Sequence, residues 1–293
     1  MRYRPVGKSG MSISALCLKL RGERCGADPD AWLALIHAAF ENGVNAFEVS
    51  NPTPALLEGL AHAARSVERR LIFVSLRLPD GLASDDVSRE IDQVLSATGL
   101  ECLDLASLSG DADVPNEVIW ALEELRATAR LKRLGIVVET EAANQHLHGG
   151  AFDVLLAPFN LLSGWRERLC VRTAAEKSMS VIAFNHFPED ARTIAEPKAV
   201  KRRWFSKPAY PLAGMGSYNF LHDTQGWNAE EICLGFALTE TAVASVLLEV
   251  DDLKHLAAVA EVTERDLPAA VAAQIEMARF SAERDAGTER RSA

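Results

Sequence analysis

Eight strand-length apolar runs alternate with eight helical patterns along this chain, and no other feature narrows its fold as much. The runs cover 15–20, 45–50, 71–78, 102–109, 134–139, 153–160, 181–187 and 244–250. Most are apolar almost throughout, as expected for parallel strands buried on both faces. Between them, segments 30–41, 54–67, 84–97, 116–129, a weaker one near 142–147, 166–177, 228–238 and 251–262 have helical spacing. Ser84-Asp-Asp-Val and Asn228-Ala-Glu-Glu read as helix starts, with a capping side chain ahead of first-turn acids. Eight βα units in 293 residues, with no break in composition, predict one closed α/β barrel of the (β/α)8 type over 1–280. The polar stretch 281–293 is expected to be a disordered tail. In such a barrel the chemistry sits at the carboxyl ends of the strands.

Charge and cysteine content exclude several function classes. The 31 basic and 41 acidic residues give a formal net charge of −10, which repels phosphate backbones and anionic lipid. Neither nucleic-acid binding nor membrane insertion is expected. No run approaches the ~18 uninterrupted apolar residues of a spanning helix. The first residues lack the apolar core of a signal peptide, so a cytoplasmic location is expected. Five cysteines form no CxxC pair and no metal-ligand spacing, and an odd number cannot all pair within one chain, so reduced thiols and no metal site are expected.

The opening Met1-Arg-Tyr-Arg-Pro-Val-Gly-Lys-Ser-Gly-Met-Ser-Ile-Ser-Ala-Leu16 resembles the N-terminal hairpin that closes the barrel of bacterial aldo-keto reductases. Further matches to that family follow in order and spacing: Glu41-Asn-Gly-Val-Asn-Ala-Phe47, Ala121-Leu-Glu-Glu-Leu125 with Leu134-Gly135, Asp153-Val-Leu-Leu-Ala-Pro-Phe-Asn-Leu-Leu162 and Ser180-Val-Ile-Ala-Phe184. The resemblance spans residues 1 to about 280. It implies a (β/α)8 barrel whose typical members reduce carbonyls with NADPH. They do so with an Asp, a Tyr, a Lys and a His at the ends of barrel strands two, three and four.

Carried over residue by residue, the resemblance fails where the chemistry should be. Glu48 stands at the Asp position, Thr53 at the Tyr position, Leu76 at the Lys position and Ser109 at the His position. No shift of alignment restores them: there is no Tyr between Tyr3 and Tyr210, no Lys between Lys19 and Lys132, no His between His62 and His146, and no Asp between Asp30 and Asp80. Carbonyl reduction needs an acid beside the oxygen, and a threonine hydroxyl is a far weaker acid than a phenol assisted by a lysine. The family's nicotinamide-amide contacts fall on Val137, Val138 and Leu156, which cannot hydrogen-bond an amide. Its phosphate grip falls on a segment carrying Glu249, Asp251 and Asp252, acids that suit a helix start and repel phosphate. Only Asn160 and Phe184, a ring able to stack, persist as possible cofactor contacts.

Glu48, Arg77, Ser109, Glu139 and His186 are expected to crowd the barrel mouth, with Glu48 and His186 as candidates for an altered chemistry. Cys25, next to Arg24, is either an activated thiol or an ordinary exposed one. His146 and His148 read as part of a turn. Between strand seven and the next helix, 188–227 forms a connection far longer than usual. It carries Lys198, Lys201, Arg202, Arg203 and Lys207, with Trp204, Phe205 and Tyr210 interleaved, a pattern that suits a protein or acidic-ligand interface. Two functions follow. One is a barrel without hydride chemistry that serves as a binding, scaffolding or regulatory subunit and takes no cofactor. The other is an oxidoreductase dependent on NAD(P)H, with NADPH as the expected cofactor, or another enzyme with an altered site at the barrel mouth.

Overall fold

Two short strands, β1 (Tyr3–Val6) and β2 (Met11–Ser14), pair antiparallel before the barrel begins, with Tyr3 opposite Ser14 and Val6 opposite Met11. The computed structural model describes residues 1–7, 10–110, 114–139, 147, 149–195, 218–250 and 252–278. The barrel itself is formed by β3 (Leu16–Arg21), β4 (Ala46–Ser50), β5 (Phe73–Arg77), β6 (Leu105–Ser109), β7 (Leu134–Val137), β8 (Val154–Pro158), β9 (Ser180–Phe184) and β10 (Val243–Leu248). These eight strands are parallel and close through β10 pairing with both β9 and β3. The expected (β/α)8 architecture, including the N-terminal hairpin, is what the chain forms.

The hairpin is a plug. Val6 and Ile13 are fully buried and pack with Cys17, Ala46, Phe73 and Leu105 in the barrel interior. Asn45 ties plug to barrel: its side chain accepts the Ser14 backbone N–H at 2.7 Å and donates to the Leu71 carbonyl at 3.0 Å. Nearby, the carboxylate of Asp104, whose side chain is 0% exposed, accepts from Arg69 at 2.8 Å, Lys132 at 2.8 Å and the Val74 N–H at 2.9 Å. A buried anion with three donors locks the amino ends of β5 and β6. Arg69 belongs to a 3-10 turn, Arg69–Leu71, so the third strand starts after that turn rather than at residue 71.

Around the barrel lie α1 (Pro29–Glu41), α2 (Pro54–Arg65), α3 (Ser84–Thr98), α4 (Asn116–Ala127), α5 (Trp165–Glu176), α6 (Glu189–Ala195), α7 (Phe220–Asp223), α8 (Ala229–Thr239) and α9 (Leu253–Val262). Residues 269–278 are also helical, burying Val271, Ile275 and Ala278. The Asn228 start forms a complete capping box with Glu231, as its sequence suggests. Ser84 does not cap: Ala83 takes the N-cap position and Ser84 is the first helical residue, with no side-chain cap. The long connection after β9 is not wholly loop, since α6 opens it and α7 lies near its end. Residues 196–217, with Lys198, Lys201, Arg202, Arg203, Trp204, Lys207 and Tyr210, lie outside the described residues, as do 140–146, His148 and the tail beyond 278. No helix among the described residues is long and apolar enough to cross a membrane.

Candidate functional site

Side chains along a strand alternate between the barrel interior and the helix-facing layer, so each strand end offers every second residue to the mouth. On β4 this sends Glu48 and Ser50 inward. On β3 it sends Lys19 and Arg21, and on β5 it sends Arg77. With Val137 on β7, Phe184 at the end of β9, Leu247 on β10 and Glu249 just after it, they line a cavity of about 600 Å3 at the carboxyl ends of the strands. The loops above add Asn51, Glu139, Asn185 and His186, and three helices add Arg192, Glu230 and His255. Asn51 and Asn185 each follow a strand with positive φ, 47° and 54°, a left-handed turn that asparagine tolerates better than most residues. A larger groove of about 1640 Å3 surrounds the hairpin at the opposite, amino end. Its position at the stability face of a barrel makes it a weaker site candidate than the smaller mouth cavity.

Charges in the mouth are mostly matched. Glu249 takes Arg21 at 2.6 Å and Lys19 at 3.6 Å. Glu230 lies 3.1 Å from His255 and 3.6 Å from His186. Burial pushes the Glu230 carboxyl up, but the two imidazoles outweigh that and hold it below the usual carboxylate range. Arg192 stacks on Phe187, 5.0 Å from the ring centre, and donates to its carbonyl at 3.2 Å. Arg77 is different: its backbone belongs to the β5–β6 ladder, but its guanidinium makes no hydrogen bond or ion pair with any described residue. Glu48 is 2% exposed, and its Oε2 has no hydrogen-bond partner. Burial raises its pKa against the opposing pull of Arg77 and Lys19, while Glu249 adds to the rise.

The positions that the family resemblance marks as catalytic are distributed unevenly. Glu48 is in the mouth. Thr53 is the N-cap of α2, its hydroxyl accepting the Leu56 N–H at 3.3 Å. Leu76 corrects the sequence reading: it is 1% exposed in the layer between strands and helices, and the inward cation is its neighbour Arg77. Ser109 ends β6 half-buried beside Val137, outside the cavity lining. His186 is 7% exposed and its Nε2 has no hydrogen-bond partner. Cys25 is no activated thiol, since burial outweighs Arg24 and raises its pKa.

A nicotinamide cofactor does not fit the described residues. Val137 and Leu156 are adjacent across β7 and β8 in the barrel interior and offer no polar atom. Val138 also corrects the reading of this mouth, because it packs outward in the helix-facing core. Asn160 is committed locally: its Oδ1 accepts the Leu162 N–H at 2.9 Å and its Nδ2 donates to the Asn185 carbonyl at 3.0 Å. At the start of α9, the Asp252 carboxylate accepts the His255 N–H at 2.8 Å, so an acid of the chain itself occupies the place a phosphate would take. That bond, foremost, lowers the Asp252 pKa. Asp251 lies outside the described residues, and Glu249 is engaged by Lys19 and Arg21. Phe184 alone, lining the mouth, keeps a position from which a ring could stack. Among the described residues no group of three or more His, Cys, Asp or Glu could hold a metal.

Sequence reasoning placed 48–53 at the mouth, which takes in Ser50 and Asn51, but missed Lys19, Arg21, Arg192, Glu230 and His255. For the strand positions the signal was present, since Lys19 and Arg21 follow Cys17 at steps of two. For Glu230 and His255, each in the first turn of a helix, no local pattern points across the mouth.

Comparison with known proteins agrees with this architecture. A family model described as the aldo/keto reductase family matches residues 19–279. Among solved structures, the chain is similar to the aldo-keto reductase AKR11C1 from Bacillus halodurans in its holo form, at TM-score 0.75 and 16% identity, with 95% of this chain and 96% of that chain covered. The apo form of the same protein gives TM-score 0.73 and 17% identity, again covering 95% and 96%. Identities this low speak for the shared fold alone.

Proposed function

We propose that this chain, which belongs to the aldo/keto reductase family, has lost NADPH-dependent carbonyl reduction and serves as a non-catalytic binding, scaffolding or regulatory subunit of the cytoplasm. The observation that carries this reading is Thr53. At the place where relatives keep their proton donor, its hydroxyl is spent on the first turn of α2, and among the described residues no phenol lines the mouth cavity in its place. The apolar Val137 and Leu156 and the self-capped start of α9 support the absence of a working cofactor site. The basic, aromatic segment with Lys201, Arg202, Arg203, Trp204 and Tyr210 is the proposed surface for a protein partner, on its composition alone.

Titrating NADPH and NADH calorimetrically into the full chain, followed by a panel of small aldehydes, tests this reading. No saturation is expected across the roughly micromolar to millimolar range in which enzymes hold their ligands, and no aldehyde-dependent oxidation of cofactor. Saturable micromolar binding with turnover would overturn it. One observation favours a second reading, an enzyme with altered chemistry: Glu48 is a buried carboxyl with a raised pKa, the condition of a general acid, in the same cavity as His186.

A further inference from the structure

The mouth cavity contains polar atoms that the fold leaves unused. Glu48 Oε2 and Ser50 Oγ lack hydrogen-bond partners and their residues are 2% and 8% exposed, while His186 Nε2, in a residue 7% exposed, makes no hydrogen bond and has the Glu230 carboxylate at 3.6 Å. Two segments far apart in sequence, β4 and the loop after β9, deliver these atoms to one cavity. Buried polar atoms in native proteins normally find partners, so a cluster without them marks a place where another molecule completes the set. Arg77 lines the same cavity and has no acceptor, although the other cations of the mouth are engaged.

We propose that the mouth binds a small hydroxy-carboxylate as a monoanion, with Arg77 holding its carboxylate and Glu48, Ser50 and His186 its hydroxyls. This rests on the reading of the mouth as a binding site rather than a reductase centre. The guanidinium is a planar fork whose paired N–H groups match a carboxylate. A hydroxyl both donates and accepts, so it serves an acceptor such as Glu48 Oε2 and a rotatable group such as Ser50 Oγ. The cavity of about 600 Å3 lies within the usual size range for small-molecule sites. Val137, Phe184 and Leu247 supply an apolar wall for a short carbon chain.

Competing ligand classes fit worse. A phosphate dianion would bring two charges among Glu48, Glu139, Glu230 and Glu249, with one uncommitted guanidinium to meet them. A neutral polyol would satisfy the hydroxyl partners and leave Arg77 unpaired. An organic cation would find Glu249 engaged by Lys19 and Arg21 and Glu230 by His255 and His186, and at Glu48 it would meet the nearby positive charges of Arg77 and Lys19.

Calorimetric titration of the full chain with lactate, glycerate, gluconate, glucose and inorganic phosphate decides the matter. At least one of the three hydroxy-carboxylates should bind roughly tenfold or more tightly than both glucose and phosphate. Arg77→Gln should cut that binding by about tenfold or more, and Ser50→Ala by a smaller factor, with melting temperatures recorded for both. If Arg77→Gln does not fold, the selective loss in Ser50→Ala carries the test. Failure of all three carboxylates to bind, or binding unchanged in the variants, would overturn the inference. The NADPH titration separates the two ideas: cofactor turnover removes the non-catalytic reading, whereas silent carboxylates with no cofactor binding remove only this one.

Discussion

Thr53 starts α2 by accepting the Leu56 backbone N–H on its hydroxyl at 3.3 Å, one side chain closing one helix turn. The bond satisfies a donor that the first turn of any helix leaves open. Thr53→Ala should therefore cost about 1 kcal/mol in urea unfolding. Thr53→Tyr should lose the same cap and still reduce no aldehyde, because Val137 and Leu156 offer nothing to a nicotinamide. A Thr53→Tyr variant that turned over NADPH would show that the mouth lacked only its acid.

Glu48 should make the protein less stable as pH rises. Its folded-state pKa lies above the ordinary carboxyl value of 4.5, because burial disfavours the carboxylate. Between 4.5 and the folded value, the folded state binds more protons than the unfolded state, so stability falls with rising pH across that window and the loss is complete above it. Glu48→Gln removes this contribution. Thermal melts from about pH 4 to about pH 8 should show a flatter profile for the variant and a higher melting temperature at neutral pH. Parallel profiles for the two proteins would contradict the assignment.

The barrel was legible because its signal is repetitive, and the mouth was legible only in part because that signal carries no phase. A parallel strand buried on both faces is apolar at every position, which erases the period of two that separates inward from outward residues. In Phe73–Arg77 the polar Ser75 and Arg77, two apart, mark the inward phase, but alignment to relatives overrode them and chose Leu76, which faces the helices. Where a polar residue interrupts the run, as Glu48 does in β4, phase returns and the inward residue is evident. The Glu230 and His255 pair was invisible for another reason: 25 residues separate them in sequence, and only the closure of β10 against β3 gives the mouth its final wall.

Asp104 should be among the most sensitive polar positions. Asp104→Ala leaves Arg69 and Lys132 without their shared anion and the Val74 N–H without its acceptor. A loss of about 3 kcal/mol is expected, toward the low end for a broken buried pair because both cations reach solvent. Urea unfolding checks the size. Ligand binding by the folded variant should be unchanged, since the clasp lies at the amino end of the barrel.

Replacing Lys201, Arg202 and Arg203 together with Ala removes three positive charges from a chain of net charge −10. If this segment steers an acidic partner, a cross-linked partner complex should weaken in the variant and lose most of its dependence on salt. Melting should move little, by roughly 0.5 kcal/mol or less. Undiminished capture of every partner by the triple variant would remove the segment from the interface.

Gly22 couples two walls of the mouth, and its replacement should disturb both. Its N–H donates to the Ser50 carbonyl at 3.2 Å, extending the pairing of β3 and β4 one residue beyond Arg21. A Cβ there would stand 2.0 Å from the Asn51 carbonyl oxygen and 2.8 Å from the Thr53 methyl carbon. The first of these is a backbone atom that cannot swing aside, so one loop must move. Gly22→Ala should then cost roughly 1–3 kcal/mol, the range for forcing atoms into a filled space. The displaced loop carries Asn51 and begins beside Ser50, so binding at the mouth should weaken by more than the stability loss alone explains at temperatures well below melting. The same titration on Asp104→Ala, a variant of comparable stability loss with an intact mouth, supplies the control: equal affinities in the two variants would show that Gly22 matters only for folding.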